Sequence, residues 1–260
     1  MRHINPHEKD CHITFDTSNH KYFWKGAPVP TSVTQLVHRF TQLFEPQHTI
    51  DTMRSGTRWP RADYLDLHAL QNLGEKDLSI LPEDSAQLKL LLENPATHLE
   101  QICLHLNRLR HEHPKLDNFC QSLTLDDETI KSKWDAKAKK ASEAGTRMHA
   151  QFEHLLNGGA IAQLTPEIQL LVGFLQHIKN AKAYRTEWKI YSEKHALAGT
   201  IDFVAEHPNG DKLIIDWKRT SQLKQKHQNY GKQMLPPIEH MPDCPVSHYR
   251  LSSTYTDTSS

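Results

Sequence analysis

The hydrophobic pattern of this chain changes period twice, and each change marks a change of structure. Residues 12–24 (HITFDTSNHKYFW) alternate about a Ser-Asn-His turn and predict a β-hairpin. Thr31 or Ser32 then offers the N-cap of a helix running to about Leu43. Residues 50–64 carry no decisive pattern. From about residue 84 to 122 the spacing is helical: Leu88, Leu91 and Leu92, then Leu99, Ile102, Leu106 and Leu109, punctuated by Pro82, Pro95 and Pro114. A helix opens near Leu125-Asp126-Asp127-Glu128, where acidic residues suit a first turn, and runs to about Ala141. Ser142–Asn157 is a further helix or the same one continued, with Met148, Phe152, Leu155 and Leu156 as its stripe and Gly158-Gly159 as its end. Another helix, Pro166 to about Ala183, carries Ile168, Leu171, Phe174, Leu175 and Ile178.

The period then becomes two. Residues 187–191, 200–205 and 212–218 alternate, which predicts an antiparallel meander packed on the preceding helices. The turn between its last two strands is His207-Pro208-Asn209-Gly210-Asp211. Asn-Gly alone suggests a two-residue loop, which would set Asp202 and Asp216 on opposite faces. Pro208 instead suits the second position of a type I turn, and Gly210 the left-handed position after it. The resulting three-residue loop sets Asp202 directly opposite Asp216, with Lys218 on the same face and Ile201, Phe203, Leu213, Ile215 and Trp217 on the other. Two opposed carboxylates repel unless compensated, and a hard divalent cation compensates them. Lys218 is suited to orienting water or stabilising charge on a phosphate.

Composition narrows the classes. The net charge is zero, which argues against a simple nucleic-acid coat but leaves room for a local basic track; cations cluster at 131–147 and 218–232. No apolar stretch approaches the roughly 20 residues that span a bilayer. The N-terminal residues lack the apolar core of a secretory signal, and the scattered Cys11, Cys103, Cys120 and Cys244 form no disulfide framework, so an intracellular, non-secreted protein with reduced thiols is expected. A zinc site from Cys103, His105, His111, His113 and Cys120 fits no standard spacing.

Leu197-Ala198-Gly199-Thr200-Ile201-Asp202 followed by Leu213-Ile214-Ile215-Asp216-Trp217-Lys218 resembles motifs II and III of the PD-(D/E)XK nuclease superfamily. Gly145-Thr146-Arg147-Met148-His149-Ala150-Gln151-Phe152-Glu153 resembles the G-x-x-x-H-x-x-x-E helix of the branch holding the RecB nuclease domain, a group of CRISPR-associated nucleases and the mitochondrial genome maintenance exonuclease. The resemblance covers about residues 130–220. It implies an α/β (α+β) protein with a restriction-endonuclease-like core, a central mixed sheet flanked by helices and a largely helical N-terminal region. It implies a Mg²⁺- or Mn²⁺-dependent deoxyribonuclease, an exonuclease or flap-processing enzyme acting on single-stranded or frayed DNA. His149, Asp202, Asp216 and the carbonyl of Trp217 are the implied ligands, and Lys218, Asp216 and Asp202 the implied catalytic residues. Glu153 and Glu187 are placed around them, with Lys137, Lys140, Arg147 and Arg219 toward DNA.

Relatives in that branch carry a helix of the form Y-x-L-Q-L-N-x-Y after motif III. Here His248-Tyr249-Arg250-Leu251 lacks the glutamine, which predicts weakened turnover or, as the alternative, an inactive module that binds DNA or a protein partner. No iron–sulfur cluster is expected, since only Cys244 lies near the C-terminus. The expected divisions are residues 1–124, a nuclease core at 125–250, and a disordered polar tail at 251–260.

Overall fold

In the computed structural model, which describes residues 4–178, 180–220 and 231–257, the N-terminal alternation forms the expected hairpin. β1 (Ile13–Asp16) pairs antiparallel with β2 (Lys21–Trp24), and the short β3 (Ala27–Pro28) continues from β2. β4 (Thr31–Ser32) leads directly into α1 (Val33–His38). Ser32 closes a capping box: its hydroxyl accepts the Gln35 N–H at 3.2 Å, and the Gln35 side chain accepts the Ser32 N–H at 2.9 Å. Replacing Ser32 with alanine is expected to cost about 1 kcal/mol, read as a lower urea midpoint at unchanged slope. The helix stops short of Leu43. The Phe40 carbonyl is taken by the Leu235 N–H at 2.7 Å, and the approach to Glu45-Pro46 disfavours helical backbone.

The next helices are α2 (Pro46–Ser55), α3 (Leu67–Gln71), α4 (Glu75–Ser79), α5 (Ala86–Leu91), α6 (Leu99–Glu112) and α7 (Asp117–Ser122). Pro95 and Pro114 each open a single 3₁₀ turn, where a missing N–H costs nothing. Leu70, Leu88, Ile102, Leu106 and Leu123 form the core here. Cys103 and Cys120 are buried, and each thiol donates to a main-chain carbonyl, that of Pro60 at 2.6 Å and that of Leu106 at 3.8 Å.

α8 (Asp127–Leu156) is one continuous helix, followed by Gly158 at φ +84°. α9 (Pro166–His177) is capped by Thr165 and ends before Ala183, because Lys182 already begins β5 (Lys182–Ser192). That early start has a buried anchor. Arg185 makes two 2.8 Å bonds to Asp10 and a 2.6 Å bond to the carbonyl of Asn5. β6 (Leu197–Glu206) and β7 (Lys212–Ile215) complete the antiparallel meander, and α10 (Pro245–Asp257) follows. The expected disordered tail is thus helical through Asp257; residues 258–260 lie outside the described residues, as do 221–230 of the second basic cluster.

β6 is the central strand. It pairs antiparallel with β5 along one edge; along the other it pairs parallel with β4 at Leu197–Ala198 and antiparallel with β7 at Phe203–Glu206. The sheet is therefore mixed, and with the helices it makes an α/β fold. Among the described residues, the edge of β6 between β4 and β7 has no strand partner at residues 199–202. Because β6 is buried on both faces, the strict in-out alternation fails: Ala198 and Val204 are buried as fully as Ile201, Phe203 and Ala205.

Contacts divide the chain into two compact units, Met1–Leu43 with Lys140–Ser260, and Phe44–Lys139. This replaces the expected boundary at residue 124. The N-terminal hairpin and α1 go with the later residues because Thr31 and Ser32 add a strand to the β6 sheet. Among the described residues no helix is long and apolar enough to cross a membrane.

Candidate metal centre

The turn after β6 sets the geometry. The His207 N–H donates to the Asp211 carbonyl at 2.9 Å, the Gly210 N–H donates to the His207 carbonyl at 2.9 Å, and Gly210 has φ +91°. This is the three-residue loop that the proline selects, and Phe203 faces Ile215 as it requires. The next pair out along the ribbon is Asp202 with Asp216. Hydrogen-bonded pairs alternate outward from His207–Asp211, so a continued ladder would give the Trp217 N–H to the Ile201 carbonyl. It goes instead to Asp202 Oδ2 at 2.7 Å, and β7 ends at Ile215. The Trp217 ring holds this position from the opposite side, stacked on Phe203 at 5.8 Å and edge-on to Phe152 at 5.3 Å and Phe174 at 5.4 Å.

On the other flank of β6, Thr186 faces Phe203 and Trp188 faces Ile201, with Glu187 between them against Asp202. Glu187 has φ +44°, a left-handed backbone that side chains other than glycine adopt at a cost. From α8, His149 Nδ1 lies 3.5 Å from Glu187 Oε1 and 3.7 Å from Asp202 Oδ2. One ligand atom from each of His149, Glu187 and Asp202 fits within 4.8 Å of the others. Asp216 turns toward Lys218, whose ammonium lies 2.8 and 2.7 Å from its two oxygens. The same ammonium sits 5.5 Å from the ring centre of Tyr249 on α10.

Asp202, with a side chain 10% exposed, has its carboxyl pushed up to about 6, first by burial and then by the nearby Asp216 charge. His149, the Trp217 N–H and Lys218 pull the other way. His149 is raised by its bond to Glu187, against burial. Both groups must lose a proton to serve as ligands. Apparent Mn²⁺ affinity is therefore expected to climb as pH rises through about 6, where Asp202 titrates, and on through the raised titration of His149, by up to about tenfold per pH unit for each proton released. Calorimetric titrations in buffers of different ionisation enthalpy would count those protons, and a pH-independent affinity would contradict the ligand set.

A cavity of about 220 Å³ opens at the unpaired edge of β6, lined by Gly199–Asp202, Asp216, Lys218 and, from α10, Ser252. Tyr22 from the hairpin also lines it and hydrogen-bonds Thr200 Oγ1 at 2.8 Å. Of the three converging groups only Asp202 lines this cavity; the imidazole nitrogen of His149 with the carboxylate oxygens of Glu187 and Asp202 is a donor set that fits Mg²⁺ or Mn²⁺.

The structure brings His149 and Asp202 together and adds Glu187 to them, while Asp216, an implied ligand, turns to Lys218 and stands outside that three-residue group. The main-chain group of Trp217 that meets Asp202 is its N–H. Glu153 is exposed one turn beyond His149 and stands outside the three-ligand group. Arg219 is paired with Glu167 at 3.0 Å. Lys140 and Arg147 are exposed on α8; Lys137, also exposed, belongs to the other unit. Tyr249, which no spacing in the sequence ties to Lys218, reaches it through the placement of α10. In the other unit, Asp84, Glu112 and His113 also converge, but Arg108 pairs with both carboxylates at 3.0 and 3.1 Å. No family model, curated protein or solved structure matches this chain.

Proposed function

We propose that this protein is a divalent-cation-dependent deoxyribonuclease that hydrolyses phosphodiester bonds, with single-stranded or frayed DNA as its substrate. The observation that carries the reading is the convergence of His149, Glu187 and Asp202 within 4.8 Å, beside an Asp216–Lys218 pair at the end of the same β-ribbon. His149, Glu187 and Asp202 would hold Mg²⁺ or Mn²⁺, with Asp216 beside them. Bound there, the cation supplies Lewis acidity toward a phosphoryl oxygen and a water of lowered pKa. Lys218 carries the remaining positive charge; it orients the attacking water or stabilises charge growing on the phosphate. The restriction-endonuclease-like core belongs to this reading, supported by the β5–β6–β7 meander and the helix bearing His149.

The left-handed backbone of Glu187 adds support, because such conformations persist where a site requires them. The test is a cleavage panel on single-stranded, double-stranded and flap DNA in Mg²⁺, Mn²⁺ and EDTA, with Asp216→Ala beside the wild type. Cation-dependent cutting by the wild type alone supports the proposal. DNA binding in EDTA with no cutting in any cation would instead identify an inactive binding module.

A further inference from the structure

Beside the proposed metal centre lies a second, larger space of about 650 Å³, lined by apolar side chains of α8 and α9 and by Trp217–Thr220. Its walls include Met148, Leu170, Phe174 and the Trp217 ring, with Glu167 and Arg219 among its polar lining. Phe174 and Trp217 are only half-buried, and Leu170 is 75% exposed. A helix as apolar as α9 is expected to be covered, yet Leu170 and Val172 face solvent.

Two facts tie this groove to the site. Lys218 lines both the groove and the 220 Å³ cavity that holds Asp202 and Asp216. Trp217 joins them through one residue, its N–H bonded to Asp202 and its ring forming the groove wall. A ligand with an anionic group at Lys218 would thus place whatever it carries next into an aromatic, apolar space. A nucleotide has that construction, a phosphate bonded through a sugar to a flat base, and bases stack on exposed aromatic rings irrespective of sequence.

We infer that this groove receives an unpaired base of the substrate strand next to the scissile phosphate. The inference rests on the nuclease reading and gives its single-stranded or frayed substrate a subsite for one unpaired base.

The test uses the full chain and labelled single strands of equal length in which three abasic residues replace the bases at either end or at the centre. Binding is followed by fluorescence anisotropy in EDTA, cleavage in Mn²⁺. Wild type is expected to prefer the intact strand over at least one abasic strand by about five- to a hundredfold, the equivalent of stacking one base. Leu170→Ala and Phe174→Ala should narrow that preference while leaving the abasic strands bound as before. Leu170 is exposed, so its variant keeps the test interpretable if Phe174→Ala folds poorly. Equal handling of intact and abasic strands by a wild type that cuts DNA would overturn the groove and leave the nuclease standing. A preference untouched by both variants would overturn it equally. A wild type that cuts no strand would remove the nuclease reading and the groove with it. A concentration-dependent dimer abolished by Leu170→Glu, with no base preference, would give the groove to a second copy of the chain.

Discussion

Replacing Lys218 with alanine is expected to lower DNA cleavage by about 10²–10³-fold, the usual loss when one charge-stabilising donor is removed from a reacting centre. The protein itself should barely notice. The Lys218 and Asp216 side chains are 31% and 30% exposed, and pairs this accessible contribute about 0–1 kcal/mol to folding. Cation binding should survive as well, since His149, Glu187 and Asp202 remain. A smaller second effect accompanies the loss. Lys218 holds down the proton affinity of both Asp202 and His149, so its removal raises both and moves the acidic limb of the pH–rate profile to higher pH. Single-turnover cleavage in Mn²⁺ from acid to neutral pH, with a parallel cation titration, measures the two effects separately. An unchanged rate at saturating Mn²⁺ would remove Lys218 from the chemistry. A lost rate with lost cation affinity would reassign it to holding the site together. Lys218→Arg is no neutral control, because a planar guanidinium cannot replace a compact ammonium beside Asp216.

That centre was readable in the sequence to an uneven degree, and the division follows the range of the forces involved. The opposition of Asp202 and Asp216 is a local matter. Pro208 and Gly210 choose the loop, the loop fixes the register, and the register places two carboxylates and Lys218 on one face. His149 entered only through the resemblance of Gly145–Glu153 to a nuclease helix; the stripe of Met148 and Phe152 predicts the buried face of that helix, not a ligand. Non-local pairings were less legible. β4 is two residues long, and nothing in Thr31-Ser32 announces a parallel partner at Leu197-Ala198, yet that pairing carries the N-terminal hairpin into the same unit as the site. Glu187 takes its left-handed backbone in the middle of a strand, with no glycine or asparagine to signal it. The burial of Ala198 and Val204 beside that of Ile201 and Phe203 follows from a strand covered on both sides, a condition alternation cannot express. The apparent tail at 251–257 forms the last turns of α10, although Ser-Ser-Thr-Tyr-Thr is weakly helix-forming and its polar composition does not announce a helix.

Changing Asp202 to asparagine should make the cation-free protein more stable, and cation should reverse the order. The Asp202 carboxyl titrates near 6 in the folded chain, whereas an unfolded aspartate titrates near about 3.9. Between those values the folded state holds the proton that the unfolded state has released. Stability therefore falls as pH rises through this window and stays lower above it. The full difference corresponds to about 3 kcal/mol at pH above both values. Asparagine carries no charge and keeps an oxygen for the Trp217 N–H, so the variant escapes this loss without orphaning the amide. The two proteins should melt alike below about pH 4 and diverge above about pH 6. The comparison belongs near about pH 8, because His149, raised by Glu187 and by Asp202, also contributes attraction that disappears as it loses its proton. In EDTA the variant should then melt several degrees higher, given about 2–4 °C per kcal/mol for a chain of this order of size. Mn²⁺ at about a thousand times its dissociation constant adds about 4.1 kcal/mol to the wild type and little to the variant, inverting the gap. A variant less stable than wild type in EDTA would mean that Asp202 supports the fold rather than opposing it. The strained carboxylate would then have no cation to be waiting for, and the case for a metal centre would fall with it.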